Sequence, residues 1–387
     1  MSLISITGMG AVTCLGLGAD RLWQTVLDER SGINKLGLGQ ISDPQIDELK
    51  DTLNLPPMTS RSVVLGVASI AEAMAQAKWD DLGPDDGLII GTTTGQIDLW
   101  ELELTRYLNK ELSPQEFGRS LRSQSLGSCA ESLSRHLRFS GRKTTITSAC
   151  SAGTQALGLG KQWIEQGKVK RCLVGGVEIL SRLTIEGFRS LQLLSTKPAT
   201  PFDENRQGIN LAEGAAFFCL EKKSAGPLCH LTGFGASTDA YHMTAPHPDG
   251  FGSLRAMTLA LENSQLKTSD IDWVHAHGTG SRANDEAEGR AITTLFGVGR
   301  GPWVSSTKNI HGHALAASGA IESVLCVQAI QKQLILKTSG LNSPDVDVRH
   351  PFENKNLKVK NILKNTLGFG GNNSSLIFSH PQFGGKS

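Results

Sequence analysis

ISITGMGAVT at residues 4–13 returns as CHLTGFGAST at residues 229–238, Thr7-Gly8 matching Thr232-Gly233 and Gly10-Ala11 matching Gly235-Ala236 at a constant offset of 225 residues. Each copy precedes a run of small helix formers, RSVVLGVASIAEAMAQAKW (61–79) and SLRAMTLALENSQL (253–266). Each run leads into a short apolar strand ending in glycine and threonine, GLIIGTTTG (87–95) and WVHAHGTG (273–280). Farther on, TTITSAC (144–150) enters SAGTQALGLGKQWI, as WVSSTKNIHGH (303–313) enters ALAASGAIESVLCVQAI. A single short match arises by chance; four features in one order do not. The period is far too long for a solenoid, so this order predicts a duplicated α/β unit. KKSAGP (222–227) breaks the first copy from the second, giving halves 1–223 and 224–387. Strands that read as continuous apolar runs, KRCLVGGVEIL and AAFFCLE, predict sheets covered on both faces.

At 387 residues the chain can bury a large core. Lys+Arg 38 against Asp+Glu 37 leaves no electrostatic footprint for nucleic acid or an anionic membrane. Small molecules and proteins are the expected partners. Residues 1–20 have no basic region before their apolar residues, and glycines interrupt them, against a secretory leader. No uninterrupted apolar run approaches the ~20 residues of a membrane span. The seven cysteines are scattered and form no C-x-x-C pair, against a disulfide framework or zinc site, so the reading is a reducing cytoplasm.

Cys150 lies in TTITSACSAGTQALG (144–158), between strand formers and small helix formers. A helix starting near Ser151 would set the thiol at its N-terminus, where free N–H groups and the dipole favour a thiolate. Free cysteines are more often buried filler, and Cys14, Cys129, Cys172, Cys219, Cys229 and Cys326 are read that way. Cys150 differs in its small neighbours Ser148, Ala149, Ser151, Ala152 and Gly153, which leave room for a substrate. Two histidine-bearing turns follow strands of the second half, HAHGTGS (275–281) and STKNIHGHALAASG (306–319). A lone histidine is usually structural, but glycines here allow His277 and His313 to enter one cleft beside an activatable cysteine. His275 and His311 compete for the same role. The His-x-His alternation also raises metal ligation, yet no carboxylate or third histidine lies at helical ligand spacing, so no metal is expected. In NTLGFGGNNSSLIF (365–378), Gly368, Gly370 and Gly371 surround Phe369, as in a plain hairpin turn or in a loop whose one large side chain opens and closes a pocket.

Together these segments resemble the β-ketoacyl-acyl carrier protein synthase I/II family, condensing enzymes of fatty acid and type II polyketide synthesis, over nearly the whole chain. The resemblance implies a thiolase fold, with duplicated βαβαβαββ halves stacked as a five-layer αβαβα sandwich. TSACSAG brings the nucleophile's role to Cys150, HAHGTGS the first catalytic histidine to His277 with Thr279 in support. STKNIHGHALAASGA brings a lysine to Lys308 and the second histidine to His313, with Glu322 as the carboxylate paired with that lysine. Lys308 is then expected to hold His313. TPFDENRQGINLAEGAA (200–216) resembles the family's PFDxxRxGxxxxEGA segment at Asp203, Arg206, Gly208 and Glu213, and LGFGG its gating loop, with Phe369 as the gate and Gly370 supporting it.

The implied activity is decarboxylative condensation of a Cys-bound acyl chain with malonyl-acyl carrier protein, without a cofactor. The partners implied are acyl carrier protein and a second ketosynthase-like chain, identical or a cysteine-less chain-length factor. KTTITS is expected at the dimer interface, and Arg61, Arg119 and Arg122 are expected to ring the tunnel mouth for the acidic carrier. Ser281, Asn372 and His311 depart from the usual pattern and bear on the acyl substrate. A degradative thiolase would carry a second cysteine in the last glycine-rich loop, which LGFGG lacks. A chain-length factor or a decarboxylase of this fold would lack Cys150.

Overall fold

The computed structural model describes residues 3–222 and 224–382, apart from the side chains of Arg122 and Ser123. The boundary residue Lys223 lies outside the described residues. The first half runs β1 (Ile4–Thr13), α1 (Arg61–Ala77), β2 (Gly87–Gly91), α2 (Ser128–His136), β3 (Arg142–Ile146), α3 (Ala152–Glu165), β4 (Arg171–Glu178), α4 (Arg182–Ser190) and β5 (Gly214–Lys222). The second runs β6 (Cys229–Thr238), α5 (Phe251–Ser264), β7 (Trp273–His275), α6 (Arg282–Phe296), β8 (Trp303–Ser305), α7 (Ser318–Lys332), β9 (Asn361–Gly368) and β10 (Asn372–Ser379). With α4, the added helices Ala19–Leu27, Asp43–Thr52, Ile97–Leu108 and Pro114–Ser120, and the shortest strands and turns set aside, both halves read β-α-β-α-β-α-β-β.

Strand order is β3-β2-β4-β5-β1 in one half and β8-β7-β9-β10-β6 in the other, the same path traced twice. The half-sheets join where Ile4, Ser5 and Ile6 pair antiparallel with Leu231, His230 and Cys229. Helices α3 and α7 pack together between the half-sheets, while α1 covers the outer face of one and α5 that of the other. This is the five-layer αβαβα sandwich that the resemblance implies. Central strands are buried on both faces, as in Ala215–Leu220, which is why they carry no polar alternation.

The repeated T-G-x-G-A motif has a packing cause. A Cβ on Gly8 or Gly10 would lie 2.0 Å from the Ala73 carbonyl or 2.1 Å from that of Ser69, both on α1. On Gly233 or Gly235 it would lie 2.5 Å from the Ala260 carbonyl or 2.1 Å from that of Ala256, both on α5. Each outer helix therefore rests on bare backbone of its strand. The central pair uses the same device: a Cβ on Gly153 would meet the Ala316 carbonyl at 2.6 Å, and one on Gly319 would run into Thr154. That close approach brings the start of α3, with Cys150, against the loop that carries the second histidine.

Candidate active site

Cys150 occupies the turn between β3 and α3. Ala149 before it takes a left-handed φ of 50°, a conformation costly for a residue with a side chain and held here by its surroundings. The turn is closed by Ser151, whose N–H and hydroxyl donate to the Ser148 carbonyl at 3.2 and 2.7 Å. Helix α3 begins at Ala152, so the thiol stands at its N-terminus as expected. Burial nevertheless pushes the thiol up to about 12, against the opposing influence of Lys308 and the Phe369 N–H. Desolvation thus opposes the thiolate that the helix end favours.

His277 and His313 arrive on turns that use left-handed glycines, Gly278 at φ 36° and Gly312 at φ 74°. The Cys150 sulfur and one nitrogen of each ring all lie within 4.8 Å of one another. The rings meet edge to face with centroids 5.2 Å apart. Lys308 Nζ sits 3.2 Å from His277 Nδ1, donates to the His277 carbonyl at 2.6 Å and pairs with Glu322. The expected Lys308–His313 link is thus corrected, since Ser318 Oγ holds His313 Nδ1 at 2.7 Å instead. An ammonium can only donate, so Nδ1 of His277 is an acceptor and the ring's proton sits on Nε2. Glu288 on α6 fixes this turn from behind, accepting the N–H groups of His277 and Gly278 at 2.7 and 2.8 Å.

Burial drives His313 down to about 3 and, helped by Lys308, puts His277 well below the ordinary histidine range. Both rings are neutral donors at physiological pH. Burial alone would raise the Glu322 carboxyl, but Lys308 and Lys364 hold it well below the usual carboxylate range. His311 is buried behind the site, where its Nε2 and that of His275 share Thr307 Oγ1 at 2.9 and 3.1 Å. Neither ring lines the cavity.

The cavity encloses about 240 Å³ and is lined by Cys150, His277, His313, Thr279 and Phe369, with Leu193 and Ile209 among its apolar walls. Phe369 stacks on Phe188 of α4, and Gly370, at φ 73°, donates its N–H to the Met243 carbonyl at 2.8 Å. Of the departures from the usual pattern, Ser281 lines the cavity and Asn372 donates to the Phe369 carbonyl at 3.2 Å.

Sequence reasoning missed Phe188, Ser318, Glu288, Lys364 and the exposed Arg282 at the cavity wall. A lysine inside the strand NILKNTLG was the one available signal for Lys364. Arg61 is no free cation: its guanidinium pairs with buried Glu213 at 2.5 Å and with Asp43 at 2.7 Å, and its side chain is 17% exposed. That placement corrects its expected role at the mouth. Arg119 is exposed on the short helix Pro114–Ser120, away from the cavity lining, and the side chain of Arg122 lies outside the described residues.

Comparison with known proteins places the chain in a family. The β-ketoacyl synthase N-terminal domain matches residues 1–225 and the C-terminal domain of the same family matches residues 228–342. The chain belongs to the β-ketoacyl synthase family. It is 31% identical to 3-oxoacyl-[acyl-carrier-protein] synthase 2 of Synechocystis over 98% of each chain. AntDE:AntF, a type II polyketide acyl carrier protein in complex with its ketosynthase, includes a chain that superposes with a TM-score of 0.87 at 26% identity, over 98% of this chain and 99% of that one. A chain of the ketosynthase ApeO with its chain length factor ApeC, from Xenorhabdus doucetiae, gives a TM-score of 0.85 at 28% identity over 98% of each. The family's members are condensing acyltransferases, and this is a condensing enzyme of that class.

Proposed function

We propose that Cys150, His277 and His313 carry out the two half-reactions of a β-ketoacyl-acyl carrier protein synthase. The observation that carries this reading is the sulfur and two neutral imidazoles gathered within 4.8 Å beside a cavity gated by Phe369. In the first half-reaction the sulfur attacks the acyl thioester of a carrier. Its proton goes to the departing carrier sulfur as the carrier C–S bond breaks, leaving an acyl-cysteine and a free carrier thiol. Malonyl-carrier then enters and loses carbon dioxide, and its thioester oxygen becomes an enolate oxygen. His277 and His313 donate Nε2–H to that oxygen, preorganised in a water-poor site where such donors count most. The enolate carbon attacks the acyl-cysteine, and backbone N–H groups of Cys150 and Phe369 receive the second oxyanion. Collapse releases β-ketoacyl-carrier and returns the thiolate, which regains a proton from solvent. Lys308, Glu322, Thr279 and Gly370 hold these groups in place, and the chemistry needs no cofactor.

For partners, we infer acyl carrier protein and a second ketosynthase-fold chain, either a copy of this one or a chain-length factor. The ketosynthase complexes it resembles carry both kinds of partner, and β3, at the outer edge of the nucleophile's half-sheet, leaves Arg142 and Lys143 exposed. The product then feeds a fatty acid or a type II polyketide or polyene chain. We further infer that the halves divide at 223/224 and that the enzyme works in the cytoplasm. Among the described residues no helix is long and apolar enough to cross a membrane.

The test is mass spectrometry after incubation with acyl-carrier thioesters, alongside release of labelled carbon dioxide from malonyl-carrier. Cys150→Ala should lose the acyl adduct yet keep decarboxylation, and His313→Ala should do the reverse. Formation of β-ketoacyl product by Cys150→Ala would overturn the assignment.

A further inference from the structure

Lys364 has no part in the chemistry above, yet its side chain is wholly buried beneath it. From β9 its Nζ lies 2.7 Å from Oε2 of Glu322, while Oε1 of the same carboxylate takes Lys308. It also donates to Thr366 Oγ1 at 3.2 Å and to the Asn365 carbonyl. These neighbours reach both halves of the active site. Thr366 meets Thr154 of α3 at 2.9 Å, and Asn365 donates at 2.8 Å to Glu288, which holds the His277 turn.

One buried carboxylate thus serves two ammonium groups. A Lys308–Glu322 pair alone would be a neutral dipole, with little net field at His277. A second lysine on Glu322 gives that trio one positive charge in excess, offset in part by buried Glu288, and its Lys308 end is 3.2 Å from His277 Nδ1. Buried charge that is not fully balanced costs stability. A cation placed there repels a proton from Nδ1, which is what an Nε2–H donor requires.

We propose that Lys364 is a positioning residue for the condensation: by sharing Glu322 it leaves the Lys308 ammonium under-neutralised, which keeps His277 neutral with its proton on Nε2. The inference rests on the role given to His277 above. The ionisable groups around this ring and the lysine pair are Cys150 before α3, His275 after β7, Glu288 on α6, Lys308, His311 and His313 on the loop before α7, Glu322 and Cys326 on α7, and Lys364 itself.

The experiment is a titration of 15N-histidine-labelled protein from about pH 5 to about pH 8, the His277 signals being assigned by their loss in His277→Ala. Wild-type His277 should remain the neutral Nε2–H tautomer throughout. In Lys364→Met its protonation midpoint should rise by about one pH unit or more, so that decarboxylation of malonyl-carrier gains an acid limb absent from the wild type. Acyl transfer to Cys150 at the alkaline end should stay within about threefold, which a general loss of structure would not allow. A wild-type His277 that protonates above about pH 6, or that carries its proton on Nδ1, overturns the proposal; so does a Lys364→Met profile superimposable on the wild type. If Lys364→Met does not fold, Lys364→Gln, which removes the charge and keeps a polar group beside Thr366, takes its place in the same titration. Undiminished carbon dioxide release by His277→Ala would instead remove the role of His277, a separate result that the tautomer measurement does not depend on.

Discussion

Phe369 stacks on Phe188, with ring centroids 5.4 Å apart and planes 14° from parallel. Phe188 belongs to α4, a helix with no fully buried residue, and packs half-buried on the cluster of Cys150, Ile209 and Leu211, so the gate proposed for Phe369 leans on a half-buried ring. Opening it breaks one ring stack and the Gly370 to Met243 hydrogen bond. Such a stack contributes about 1 kcal/mol, so Phe188→Ala should raise the open population several-fold and speed acylation of Cys150 to match. Rapid-quench mass spectrometry of the acyl-enzyme reads this. Slower acylation would mean that Phe188 guides the chain and does not hold the gate.

Much of the architecture was legible because its cause is local. The T-G-x-G-A repeat marks where a helix lies on bare strand backbone, and only glycine permits that approach at Gly8, Gly10, Gly233 and Gly235. The residues at the sulfur were legible for a similar reason, since each sits in its own short turn motif. What surrounds them was not. Lys308 was assigned to His313, five positions away, whereas packing sets it on His277 and gives His313 to Ser318. Arg61 looked like an exposed cation because its partners Asp43 and Glu213 come from distant parts of the chain. Lys364 is buried by the meeting of β9 and α7, a contact that no local pattern announces.

Ser318 Oγ lies 2.7 Å from His313 Nδ1. For His313 to present Nε2–H to the enolate as proposed, this hydroxyl must donate to Nδ1. In Ser318→Ala the preference for that tautomer weakens, and decarboxylation should fall on the order of tenfold, short of the hundredfold or more expected when a donor itself is lost. Labelled carbon dioxide release measures it. A rate equal to the wild type would show that the tautomer is set elsewhere.

The buried thiol makes a statement about pH. With Cys150 pushed up to about 12, the thiolate fraction grows about tenfold per pH unit and does not level off near the ordinary thiol value of about 8.5. Alkylation by iodoacetamide should therefore rise with unit slope from about pH 6 to about pH 9. A plateau below about pH 8 would show that the end of α3 stabilises the thiolate more than burial opposes it.

Stability should also fall with acid, and the histidines set the window. Burial holds His275 and His313 down to about 3 and His311 to about 4, so the fold keeps all three neutral where the unfolded chain protonates them. Below the ordinary histidine value of about 6.5 the unfolded state binds more protons, and each such residue costs about 1.4 kcal/mol per pH unit until the folded ring itself titrates. Glu322 acts in the same direction at lower pH: its carboxyl is depressed, so its contribution is complete above the ordinary carboxylate range and is lost only below it. Urea midpoints should drop steeply between about pH 6.5 and about pH 4.5, and His311→Gln, which keeps a polar group near Thr307 but cannot titrate, should flatten that slope by about one proton's worth. An unchanged slope in His311→Gln would show that His311 takes up its proton inside the fold.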